Sequence, residues 1–76
     1  MSIVPSLTPR QLLTILLKAG FKILRQKGSH IRLEHPITRR NTTIAMHAAG
    51  LSRKMILKIL GQAGVSIREF LRLLGR

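Results

Sequence analysis

The chain has 76 residues and a formal net charge of +12, with fourteen lysines and arginines against two glutamates, and reads as one small, very basic domain over residues 1–76. With no cysteine there is no disulfide framework or thiolate metal site, and two carboxylates are too few to hold the ions of a two-metal nuclease. Stability of about 4–11 kcal/mol follows from roughly 0.05–0.15 kcal/mol per residue, and self-repulsion among the cations works against it, so an acidic partner would stabilise the fold.

The opening Met1-Ser2-Ile3-Val4-Pro5-Ser6 lacks a charged region followed by an apolar run, and no apolar stretch approaches the ~20 residues of a membrane span. A cytoplasmic protein with no membrane partner is expected. Thr8-Pro9 predicts a helix start, threonine as N-cap and proline at the first helical position. Leu12, Leu13, Leu16 and Leu17 recur at helical spacing, and Gly20 closes the helix. Phe21 to Gln26 reads as a strand whose inward face is ambiguous, because Ile23 and Leu24 are adjacent. Lys27-Gly28 is the expected turn.

Ser29 to His35 alternates clearly, with Ile31 and Leu33 on one face and His30, Arg32 and Glu34 on the other, which directs His30 toward solvent. Pro36 ends that strand and Thr38-Arg39-Arg40-Asn41 forms a polar turn. Thr42, Ile44 and Met46 then alternate with Thr43, Ala45 and His47. Ser52 is the N-cap of a second helix with Met55, Ile56, Ile59, Leu60 and Ala63 as its apolar stripe and Gly64 as its stop. A last helix begins near Ser66. Ile67, Phe70, Leu71 and Leu74 form its core stripe, and Arg68, Arg72 and Arg76 form a row opposite. The likeness of Leu17-Lys18-Ala19-Gly20-Phe21 to Gly61-Gln62-Ala63-Gly64-Val65 reflects shared helix capping and is not a repeat. Helix, three strands and one or two helices make an α+β fold, a three-stranded antiparallel sheet packed on helices.

Chemistry concentrates in Arg25-Gln26-Lys27-Gly28-Ser29-His30. Imidazole, with an ordinary pKa of about 6.5, exchanges a proton near neutrality, and Gly28 permits close backbone approach to a ligand. Arg25, Lys27 and Arg32 lie near His30 in sequence, suited to phosphate binding. Two readings of His30 stand at this point, an ordinary surface histidine and a general base. For His47 an exposed strand-end residue competes with a substrate or acid role, whereas His35 before Pro36 reads as structural. His30, His35 and His47 lack compact zinc-ligand spacing, so neither a metal nor another cofactor is expected.

Leu16-Leu17-Lys18-Ala19-Gly20-Phe21, Arg25-Gln26-Lys27-Gly28-Ser29-His30, His35-Pro36, His47 and Ile59-Leu60-Gly61-Gln62-Ala63-Gly64-Val65-Ser66 together resemble the HicA toxins of bacterial toxin–antitoxin pairs. The resemblance covers nearly the whole chain; it departs at Ala45, where members often carry proline, and at Arg53-Lys54-Met55, where lysine-glycine-threonine is common. It implies a fold like the double-stranded RNA-binding domain and an mRNA interferase activity with His30 as the catalytic residue. Gly28, Ser29, Arg25, Lys27, Arg32 and His47 are the expected substrate contacts, and a HicB-type antitoxin is the expected partner beside RNA. A non-enzymatic basic RNA-binding module is the alternative that the same charge and fold allow.

Overall fold

The computed structural model describes residues 4–75. Its elements run α1 (Pro9–Lys18), β1 (Lys22–Lys27), β2 (His30–Glu34), β3 (Asn41–Ala45), α2 (Arg53–Ala63) and α3 (Ile67–Leu74), an α-β-β-β-α-α order. The strands form one antiparallel sheet in the order β1-β2-β3. The chain is thus a small α+β fold of the kind expected.

Local chemistry sets each helix boundary. Thr8 Oγ1 accepts from the Gln11 amide at 3.2 Å while the Gln11 side chain accepts from the Thr8 amide at 2.9 Å, so α1 starts in a reciprocal capping box with Pro9 in the first turn. Ser52 and Ser66 cap α2 and α3 through the amides of Met55 and Glu69. Gly64 ends α2 in the left-handed conformation, φ 71°.

The core lies between one face of the sheet and the helices. Leu33 and Ile44 from the strands meet Leu12 and Leu16 of α1, Ile56 and Leu60 of α2 and Phe70 of α3, all essentially without solvent exposure. Each such side chain contributes about 1.5–3 kcal/mol relative to exposure. Before α2 the chain is tied to the N-terminal segment, Leu51 N–H donating to the Leu7 carbonyl at 2.7 Å.

Several margins differ from the sequence expectation. Phe21 is buried but precedes β1, its amide turned back to the Leu16 carbonyl at 3.1 Å. No residue of β1 is buried, because the helices pack chiefly on β3 and β1 lies at the opposite edge of the sheet. The adjacency of Ile23 and Leu24 is resolved by a register shift: Ile23 opposes Leu33, Arg25 opposes Arg32, and Leu24 is the extra residue between them. Met55, 46% exposed, and Ile67, 39% exposed, sit at the edges of their helical stripes, outside the arcs that the core covers. The expected third strand ends at Ala45, and Met46 and His47 enter a turn. Arg68 and Arg72 are exposed as expected; Arg76, and Met1 to Ile3 of the N-terminal hexapeptide, lie outside the described residues. Among the described residues no helix is long and apolar enough to cross a membrane.

Candidate functional site

Two residues, Gly28 and Ser29, connect β1 to β2, with Lys27 and His30 as the closing pair. Gly28 has φ 60°, and Arg39 is the one non-glycine residue with positive φ among those described. A positive φ confined to the first of two loop residues is the pattern of a type II′ turn, whose twist matches the strands it joins. A Cβ added at Gly28 would meet nothing within 4 Å, so glycine is required by conformation and not by crowding.

This turn fixes what the outer face of the sheet presents. Ile31 and Leu33 enter the core, so His30 and Arg32 point away from it and are exposed. Antiparallel register then sets Lys27 on one side of His30 and Ala45 on the other, and aligns Arg25, Arg32 and Thr43 in the next row. Arg25, Lys27, His30, Arg32 and Thr43 line one shallow hollow of about 200 Å³. Five of the residues expected from sequence to form the site, Arg25, Lys27, Gly28, His30 and Arg32, are therefore on or beside one surface.

The remaining two, Ser29 and His47, are joined to it by a contact that links two turns. Met46 N–H donates to the Ser29 carbonyl at 2.7 Å, which holds the chain leaving β3 against the hairpin. Ser29 Oγ and His47 Nδ1 are 2.8 Å apart, within hydrogen-bonding distance. The His47 ring meets that of His30 edge to face, with centroids 5.5 Å apart and planes at 65°. His35 is elsewhere: its Nδ1 accepts from the amides of Ile37 and Thr38 at 3.2 and 3.3 Å, and its ring packs on Phe21, so it organises a turn.

From His30 and Arg32 a larger cleft of about 650 Å³ continues over the free edge of β3 to α2, where Arg40, Asn41, Lys58 and Gln62 form a polar lining above Met55 and Ile59. Asn41 Oδ1 accepts from Arg32 at 2.8 Å, and Gln62 Oε1 accepts from the Thr42 hydroxyl at 2.8 Å. Sequence reasoning did not single out Arg40, Asn41 or Lys58 as site residues. The available signal was the spacing of Met55, Lys58 and Gln62, which places them on one helical face bordering the sheet edge.

Neither carboxylate lines these two recesses. Glu34 is paired with Arg39 at 3.9 Å and Glu69 with Arg72 at 2.6 Å. Arg72 donates hydrogen bonds to Glu69 that hold its carboxyl below the ordinary carboxylate range, and the Arg72 guanidinium is raised in turn. The cations around His30 thus have no acidic neighbour within the hollow. Among the described residues no three His, Cys, Asp or Glu side chains gather as a metal site. An exposed imidazole pair on an uncompensated cationic surface is suited to a polyanion, with proton transfer at whichever phosphate seats over it.

Residues 9–65 match the family model described as the HicA toxin of bacterial toxin–antitoxin systems. The matched span contains the whole hairpin, His47 and the cleft, and leaves α3 outside it. A search of curated proteins returned no match.

Proposed function

We propose, for a chain that belongs to the HicA toxin family of bacterial toxin–antitoxin systems, that its activity is endonucleolytic cleavage of mRNA without a metal ion, arresting translation. The observation that carries this reading is His30, exposed on the outer face of the sheet with Lys27, Arg25 and Arg32 around it. His30 removes the proton from a ribose 2′-hydroxyl, and the resulting oxygen attacks the adjacent phosphorus. A 2′,3′-cyclic phosphate forms and the 5′-oxygen leaves. The three cations, with the turn at Gly28 and Ser29, hold the scissile and flanking phosphates and offset charge developing at phosphorus.

Phe21 and Phe70, the only phenylalanines in a chain without tyrosine or tryptophan, are buried, so no phenyl ring is offered for base stacking. Weak base selectivity is the expected result. The partner is a HicB-type antitoxin whose acidic surface covers the cationic hollow and so blocks access to His30 in the cytoplasm.

The test is cleavage of purified RNA in the presence of chelator. Wild type should generate 2′,3′-cyclic phosphate ends, and His30→Ala should lose about 10²–10⁴-fold in rate while keeping its RNA affinity. A wild-type protein that binds RNA but never cuts it would favour the non-enzymatic binding module and overturn the enzyme reading.

A further inference from the structure

We propose that His47 is the general acid of this cleavage and that Ser29 is the residue positioning it, an inference that rests on the endoribonuclease reading above. The departing 5′-oxygen of RNA is an alkoxide and leaves readily only if it takes up a proton as its bond to phosphorus breaks. A base alone therefore accounts for half of the proton traffic. His30 is an exposed imidazole, and a second imidazole lies beside it with ring centroids 5.5 Å apart. With hydrogen-bond reach of about 2.6–3.2 Å from each ring, two such groups can address different oxygens of one phosphodiester.

The contact with Ser29 determines which proton of His47 is transferable. Its Nδ1 faces Ser29 Oγ at 2.8 Å. In the imidazolium form Nδ1–H donates to that hydroxyl oxygen, which leaves Nε2–H as the proton free to move. The Met46–Ser29 backbone hydrogen bond of 2.7 Å holds the two turns in register, so Ser29 sets the ring orientation from a fixed position. Ser29 does not itself need to touch the reacting atoms.

The step balances as follows. His30 takes the proton from O2′, the O2′–P bond forms, the P–O5′ bond breaks, and the Nε2 proton of His47 passes to O5′. Products are a 2′,3′-cyclic phosphate and a 5′-hydroxyl. His30 has gained one proton and His47 has lost one, and exchange with water restores both.

The experiment compares two versions of one RNA oligonucleotide, identical except that sulfur replaces the bridging 5′-oxygen at the linkage cut by wild type. A thiolate leaves without protonation. His47→Ala should lose about 10²–10⁴-fold on the oxygen substrate yet remain within about tenfold of wild type on the sulfur substrate. Ser29→Ala should lose less than His47→Ala on oxygen and no more than His47→Ala on sulfur, so that its loss too is larger on oxygen than on sulfur, and His30→Ala should be impaired on both. Equal loss by His47→Ala on the two substrates would mean that it acts in binding or structure, and no loss on either would remove it from the reaction; both outcomes overturn the proposal while leaving the base role of His30 in place. A wild type that cuts no linkage of the RNA, so that no such pair of substrates can be made, would overturn the endoribonuclease reading and this proposal together. If His47→Ala does not fold by circular dichroism, His47→Gln, which preserves a polar side chain opposite Ser29 but whose amide N–H groups are not acidic enough to transfer a proton, is judged by the same criteria.

Discussion

Replacing glycine by alanine at two positions should change stability in opposite directions. Gly28 has φ 60° and an added methyl would touch nothing within 4 Å, so the whole effect of Gly28→Ala is conformational. A non-glycine residue held in such a region costs about 1–3 kcal/mol. Gly61 lies within α2, is exposed, and likewise has open space for a methyl group, so Gly61→Ala should gain roughly 0.5–1 kcal/mol by restricting the unfolded chain. With 4–8 °C per kcal/mol for a domain of this size, the Gly28 variant should melt about 4–24 °C lower and the Gly61 variant about 2–8 °C higher. Urea denaturation with a common m-value gives the two free energies directly. Because about 4–11 kcal/mol is expected for wild type, Gly28→Ala remains mostly folded at 25 °C, and its RNA cleavage can be measured in the folded state. A displacement near 1 Å of Ser29 and His30 should cost on the order of 10²-fold in rate. Equal midpoints for the two variants would refute the turn argument, and full cleavage by a destabilised Gly28→Ala would separate the turn from the chemistry.

Other outcomes follow from named contacts. Ile44, fully buried between sheet and helices, should cost about 2–5 kcal/mol on truncation to alanine, comparable to the whole stability; a melting temperature unchanged within 2–3 °C would mean that the core collapses around the gap. Arg25→Ala and Lys27→Ala should each lower the slope of log RNA affinity against log salt by about 0.7 on single strands, measured by fluorescence anisotropy, and an unchanged slope would remove them from the phosphate path. Glu69 has its folded pKa lowered by Arg72, so its pairing contributes above the ordinary carboxylate value of about 4.3 and is lost as pH falls through the lowered folded value. The pair is exposed and its effect small, so thermal melts between about pH 2 and 6 should show a slightly shallower acid loss in Glu69→Gln than in wild type; equal slopes would mean the pair is fully screened.

What the sequence made legible was local. The Thr8-Pro9 start, the alternation of Ile31 and Leu33 against His30 and Arg32, and the glycine stops all act within a few residues, and the fold reproduces them. Burial at the margins was not legible, because Met55 and Ile67 obey helical periodicity yet lie beyond the neighbouring layer's reach, a property of how elements are placed. The inward face of β1 was likewise undecidable until the bulge at Leu24 appeared, since a bulge depends on the partner strand. Residue types at the site were readable, but their arrangement was not: Ser29 meets His47 across 18 positions and Thr42 meets Gln62 across 20, pairings that arise only when strands and helices assemble.

The outlying position of β1 has a consequence for concentrated solutions. A sheet edge carrying Ile23 and Leu24, 49% and 53% exposed, is a template on which another copy can add a strand. The bulge at Leu24 interrupts its hydrogen-bonding row, and Lys22, Arg25 and Lys27 place like charge along the same edge, so two molecules of net charge +12 repel as they approach. Salt shortens that repulsion from a range of about 10 Å at 0.1 M to about 3 Å at 1 M. The same ions that release the protein from RNA should therefore bring it closer to aggregation, leaving moderate ionic strength as the condition under which the free protein stays both unbound and dispersed.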